Sequence, residues 1–239
     1  MKNLLPSNGF VSVIAHWFSA NILALGREMR LSYLPPLMVY VAAGISGLTG
    51  IVGTFYVKEK LGLSAEFLAM LGFWMMLPWA LKMPLGHLVD LVWRWKGLLV
   101  YLGASLIMVS LLIMIGLLGH TEAMAAVASV ETWYVLSALL APIGYVLQDV
   151  VADAMTVEAV PRVDENGTKL DPEKRKLMHV TMQTLGRVAI IGGGVLVSVA
   201  NVFLLRDAGV LPEAEKEAVY LLVYELALII PVVSIFGVV

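Results

Sequence analysis

Two carboxylates four residues apart, Asp149 and Asp153, sit in a stretch otherwise apolar enough to cross a bilayer. It reads Gln148-Asp149-Val150-Val151-Ala152-Asp153-Ala154-Met155-Thr156-Val157-Glu158. An ionised side chain in hydrocarbon costs roughly 2.5–3.5 kcal/mol even on the gentler insertion scales. Such groups persist where they meet water, an opposite charge or a solute, and there they can take up a proton or hold a cationic group. Pro142, Tyr145, Asp149, Asp153 and Thr156 follow steps of three and four. At about 100° per residue they fit an arc of about 80°. Two readings fit this stripe. It lines a cavity, or it is a latch in which Asp153 and Glu158 pair with basic loop residues.

Two further stripes carry charge. His179, Gln183, Arg187, Gly194, Ser198 and Asn201 lie within about 100° of arc on another segment. Arg187 on a wet face suits an anionic group; the alternative is helix–helix hydrogen bonding, which also uses Ser, Asn and Gln. Trp79, Lys82, Gly86 and Asp90 share one side of a third segment. Lys82 can neutralise an aspartate in low dielectric, or its ammonium can snorkel to the interface.

These residues need elements that hold them in lipid, and the composition supplies such elements. The chain has 239 residues, 60% of them hydrophobic and 14% charged, with a mean hydropathy of +0.88. A soluble domain carries about 45–50% apolar and roughly 25% charged residues. The net charge of −2 leaves no basic field for nucleic acid. The absence of cysteine excludes disulfides, Cys-based zinc sites and thiol catalysis.

Six apolar runs reach the ~20 residues that a spanning helix needs. They lie near Leu37–Val57, Ala65–Val92, Leu98–Leu118, Trp133–Val157, Met178–Leu205 and Val219–Val239. Before them, Phe10, Ile14, Trp17 and Phe18 share one side of Phe10–Gly26, which suits a helix lying in the membrane interface. A seventh span or a signal peptide is the alternative. The expected fold class is therefore an all-α membrane protein. Residues 1–36 form a cytoplasmic segment with an amphipathic helix, and residues 37–239 a six-helix transmembrane bundle with a cytoplasmic loop over 159–177.

Basic residues set the orientation. With the N-terminus cytoplasmic, the inner segments hold Lys2, Arg27, Arg30, Arg94, Lys96, Arg162, Lys169, Lys174, Arg175 and Lys176. The outer loops hold Lys58, Lys60, Arg206 and Lys216. This is a positive-inside bias. The expected location is the bacterial inner (plasma) membrane. At about 1.5 Å per residue, Lys82, Asp149 and Arg187 fall within about 10 Å of a common level in the cytoplasmic half.

Smaller signals complete the reading. Asn166-Gly167 reads as a turn, and Asp171-Pro172-Glu173 as the cap of a short helix or ordered loop. Gly44, Gly47, Gly50 and Gly53, with Gly192-Gly193-Gly194, mark close helix packing. Tyr220 and Tyr224 read as an interfacial belt. The chain ends inside an apolar run, Phe236-Gly237-Val238-Val239, which reads as truncation. No phosphate loop, HExxH or GxSxG motif occurs, so an enzyme is not expected. His87 and Asp90 alone are weak metal ligands, and no metal or cofactor is expected.

Two segments carry a resemblance. One runs from Phe55-Tyr56-Val57-Lys58-Glu59-Lys60-Leu61-Gly62-Leu63-Ser64 into Leu77-Pro78-Trp79-Ala80-Leu81-Lys82-Met83-Pro84-Leu85-Gly86-His87-Leu88-Val89-Asp90. The other is Gln148–Glu158. Together they resemble the folate–biopterin transporter family of the major facilitator superfamily. There an LPW-x-x-K-P-x-x-G-x-x-x-D type segment joins spans two and three, and a D-x-x-x-D-x-x-x-x-E type segment ends span four. The match covers Tyr40 to Arg187. Met83 intervenes between Lys82 and Pro84, and the loop after Asp90 lacks the usual run of arginines.

The resemblance implies one six-helix half of a twelve-span transporter. It implies Lys82, Asp149, Asp153 and Arg187 as cavity or coupling residues, supported by Gln183 on the Arg187 stripe. Gly86 and Asp90, with Arg94 and Glu158, are then conformational-switch residues. A pterin or folate ring would stack on Trp79 or Tyr145, and an acidic tail would suit Arg187 or Lys82.

The expected function is secondary active transport of a small organic solute by alternating access, coupled to protons as a symport. The partners would be the lipid bilayer, the solute, protons, and a missing C-terminal six-helix half or a second copy. The alternative is a non-transporting membrane fragment or accessory subunit whose polar stripes are packing contacts.

Overall fold

The computed structural model describes residues 26, 29–56, 63–164, 166–236 and 238. The helix expected over Phe10–Gly26 lies outside them, Gly26 apart. The described residues are helical without strands, and each of the six apolar runs appears as a helix or a broken helix.

The first span, Leu31–Tyr56, joins α1 (Leu34–Ile45) to α2 (Gly50–Tyr56) through a tight turn of helix at Ser46–Thr49. Prolines in the first turn of α1 cost nothing, because the first amides of a helix lack partners anyway. The second span was expected as one run. It is two helices, α3 (Ala65–Ala80) and α4 (Lys82–Leu91), bent by 41°. Pro78 lies inside α3 and Pro84 just beyond the break at Leu81. Each lacks an amide, and its ring crowds the carbonyl four residues back.

The third span is α5 (Lys96–Gly119), followed by the short α6 (Thr121–Ala125). The fourth is α7 (Val130–Ala159), capped by the Ser129 side chain, which accepts from the Thr132 amide at 3.2 Å. The fifth is α8 (Pro172–Leu204) and the sixth is α9 (Glu213–Ala227) plus α10 (Ile229–Phe236).

The loop between the fourth and fifth spans turns as expected. Asp164 Oδ1 accepts from the amides of Asn166 (2.9 Å) and Thr168 (2.8 Å), and Gly167 takes a φ of 78°. The capping signal at Asp171 does not start a separate short helix. Asp171 caps α8 itself, accepting from the Lys174 amide at 3.2 Å. At 33 residues, α8 is about 50 Å long against ~30 Å of hydrocarbon. It is therefore longer than an upright span needs.

Packing concentrates where glycines let backbones touch. A Cβ on Gly144 would come within 2.6 Å of the Gly103 carbonyl oxygen, so third and fourth spans meet at backbone contact. Ser110 and Ser137 exchange hydroxyl-to-carbonyl bonds of 2.8 and 2.9 Å along the same seam. Gln148 Nε2 donates to the Val100 carbonyl (3.0 Å) and to Ser234 Oγ (2.8 Å), tying third, fourth and sixth spans. First and fifth spans cross at Gly44 and Gly193, where a Cβ on Gly44 would lie 2.5 Å from the Ile190 carbonyl. Tyr220 and Tyr224 are buried, not an interfacial belt, because the sixth span turns them inward.

Candidate functional site

The loop between the fourth and fifth spans marks one end of the bundle, called the loop end below. Toward that end, four spans bring ionisable groups together. The bend at Leu81 starts α4 at Lys82, whose ammonium lies 2.5 Å from Asp149 Oδ2 and 2.8 Å from Asp153 Oδ2. The two acids are one turn apart on α7, so a single ammonium reaches both. The other oxygen of Asp153 is held from the first span: the Tyr40 hydroxyl donates to Oδ1 at 2.6 Å. The Asp149 side chain is 13% exposed, Lys82 37% and Asp153 47%. Asp149 is thus the deep member and Asp153 the wet one. Two carboxylates against one ammonium leave this trio one positive charge short.

The fifth span approaches from the other side of Tyr40. A Cβ on Gly186 would come within 2.8 Å of the Tyr40 ring, so the ring occupies a notch that only glycine leaves open. Arg187 is the next residue on that span.

A cavity of about 750 Å³ adjoins this cluster, away from the loop end. Trp79 and Tyr145 line it, one turn from Lys82 and Asp149 respectively, with Tyr134, Tyr224, Ser46 and Thr49. Its walls combine these aromatic and hydroxyl groups with aliphatic side chains such as Leu68, Met75, Ile107 and Met114, a largely apolar lining with a few polar points.

Not every expected residue joins the cluster. The stripe on the fifth span is divided. Arg175, His179, Gln183 and Arg187 line one open groove of about 730 Å³. Gly194, Ser198 and Asn201 line another of about 910 Å³ with Arg206 and Lys216. Gly193, crossing Gly44, falls between the two stretches. Gln183 is exposed in the first groove, apart from the Lys82–Asp149–Asp153 cluster.

The residues given a switch role are also dispersed. Gly86 faces Val150, 3.9 Å from where a Cβ would stand. Asp90 and Arg94 are exposed, and Arg94 stacks its guanidinium over Trp95 at 5.1 Å. Glu158 pairs with Lys96 at the start of the third span rather than with the following loop. Lys96 also lies 4.5 Å from the Trp93 ring centre. Asp153 likewise turns to Lys82 and Tyr40, not to loop residues.

Sequence reasoning missed Tyr40 and the pinning role of Gln148. Tyr40 carried one signal: a tyrosine deep in an apolar run has a hydroxyl that needs a partner. Gln148 carried the same signal as a buried amide.

A protein-family model described as the BT1 family matches residues 43–212, well over half of the chain. No curated protein and no solved structure matches it.

Proposed function

Because the chain belongs to the BT1 family, the folate–biopterin transporters, we propose that it moves a small organic solute by proton-coupled alternating access. The observation that carries this reading is Lys82 held between Asp149 and Asp153. A trio one positive charge short takes either a proton or a cationic group of the cargo. Asp149 is the proton site in this reading. Its protonation releases Lys82 to Asp153 alone, and that charge redistribution favours a different orientation of the bundle. Arg187 holds an anionic group of the cargo, and Trp79 and Tyr145 stack on its ring. A pterin-like or folate-like organic anion is the cargo class in this reading.

Alternating access needs a second bundle working against this one. We infer a further six-helix half or a second copy of the chain in that role. The N-terminus lies on the cytoplasmic side, supported by the distribution of basic residues. The competing reading treats the polar stripes as packing devices. It fits Ser110, Ser137 and Gln148, which are buried with satisfied hydrogen bonds. It gives no reason for Asp153, charged and 47% exposed inside a span.

The test is uptake of labelled folate, biopterin and unrelated anions into vesicles carrying an imposed pH gradient. Asp149→Asn is expected to abolish accumulation while solute exchange survives. Unchanged accumulation in that variant removes Asp149 from the coupling step.

A further inference from the structure

We propose that Tyr40 is the positioning residue through which the charge on Asp153 sets the docking of the fifth span against the first. The inference rests on the transport reading above, but its test contains no cargo.

Tyr40 touches the fourth span with one end and the fifth with the other. Its hydroxyl donates to Asp153 Oδ1 at 2.6 Å, and its ring fills the notch at Gly186, beside Arg187. The residue as a whole is buried, and its hydroxyl reaches the half-exposed Asp153 carboxylate. Its hydrogen bond is charge-assisted while Asp153 is ionised, and such bonds are roughly twice as strong as neutral ones. Removing the charge of Asp153 weakens this bond and the Lys82 contact together. Tyr40 then loses what fixes its ring in the notch, and the two spans lose a contact that locks their sliding.

The groups facing Asp153 are few. Among the described residues they are Tyr40 from the first span, Lys82 from the second and Asp149 from its own helix, while Arg187 of the fifth follows Gly186 at the notch. Asp149 alone does not do this work: among the described residues its ion pair is with Lys82 of the second span, not with the first or fifth. The first and fifth spans are otherwise joined by backbone contact at Gly44 and Gly193 and by apolar side chains such as Leu37, Met182 and Val197, which carry no charge. Tyr40 supplies the charge-dependent part of that interface.

The chain contains no cysteine, so an introduced thiol is read alone. Thr184→Cys places one on the exposed groove of the fifth span. Its maleimide labelling is measured in the full chain in lipid nanodiscs at one neutral pH, normalised to the denatured protein. Asp153→Asn removes the charge and is expected to change the labelling rate at least about threefold from that of the parent. Tyr40→Phe keeps the ring and drops the hydroxyl. It is expected to give the Asp153→Asn rate while elution and melting stay near those of the parent, and adding Asp153→Asn to it is expected to change nothing further. Asp153→Asn carries the test alone if Tyr40→Phe does not fold. An Asp153→Asn protein that labels at the parent rate, or a Tyr40→Phe protein in which Asp153→Asn still shifts labelling about threefold, overturns the proposal. Failure of Asp149→Asn to alter uptake would instead strike the transport reading and leave this result standing.

Discussion

The fourth span wears two faces that differ in kind. One side carries Ser137, Gly144 and Gln148 against the third span, and each polar atom there has its partner within buried surroundings. The other, about 120° round the helix, carries Tyr145, Asp149 and Asp153 against a cavity and a half-exposed lysine. Both faces are polar at helical spacing. What separates them is satisfaction: the dry face closes its hydrogen bonds among neutral groups, and the wet face is left with an odd charge. Polarity inside a span therefore marks function only when the local account of donors, acceptors and charges does not close.

The comparison can be broken hardest on the dry face. Gly144→Leu puts a side chain where even a Cβ sits 2.6 Å from the Gly103 carbonyl. Overpacking a well-filled core costs about 1–3 kcal/mol or more, and here the obstacle is backbone. No folded monodisperse protein is expected by size-exclusion chromatography. On the wet face, Asp149→Asn is expected to leave melting within about 1 kcal/mol, since Lys82 keeps Asp153. Proton-driven accumulation in vesicles should nevertheless fall at least about tenfold, equivalent to about 1.4 kcal/mol of coupling. A variant that melts early and still accumulates would reverse the two faces.

Smaller changes sharpen the contrast. Gln148→Leu removes the two bonds that its Nε2 donates, to the Val100 carbonyl and to Ser234 Oγ, while Ser234 keeps its own bond to the Pro231 carbonyl. A loss of about 1–3 kcal/mol is expected in thermal melts, with uptake per folded molecule unchanged. Ser137→Ala removes one of two reciprocal bonds and leaves Ser110 donating to the residue 137 carbonyl. Interhelical hydrogen bonds in membranes average about 0.6 kcal/mol, so a small drop in melting temperature and intact uptake are expected. A larger uptake defect in Ser137→Ala than in Asp149→Asn would show the dry seam to be the moving one.

Much of this was legible before any coordinates. The six runs follow from length and apolar content alone. The stripe on the fourth span follows from steps of three and four, and Lys82 falls at the depth of Asp149. The bend in the second span was written in Pro78 and Pro84, yet an apolar run gives no sign of direction. The stripe on the fifth span was legible as an arc and not as two grooves, because an arc holds no record of where another helix crosses. Gly193 at the Gly44 crossing makes that division. Tyr40 stayed hidden because its value depends on Asp153, 113 residues away, and no local pattern joins them.

The 41° elbow at Leu81 has a mechanical consequence. Lys82 sits at the axle, while Leu91 ends an arm of about 15 Å. A swing of about ten degrees carries that tip through about 2.6 Å and scarcely shifts the axle. The two prolines leave the carbonyls of Trp74 and Ala80 with no amide four residues on, so the joint is softer than continuous helix. An articulated arm of this shape can open one mouth of the bundle while its lysine stays clasped to both acids.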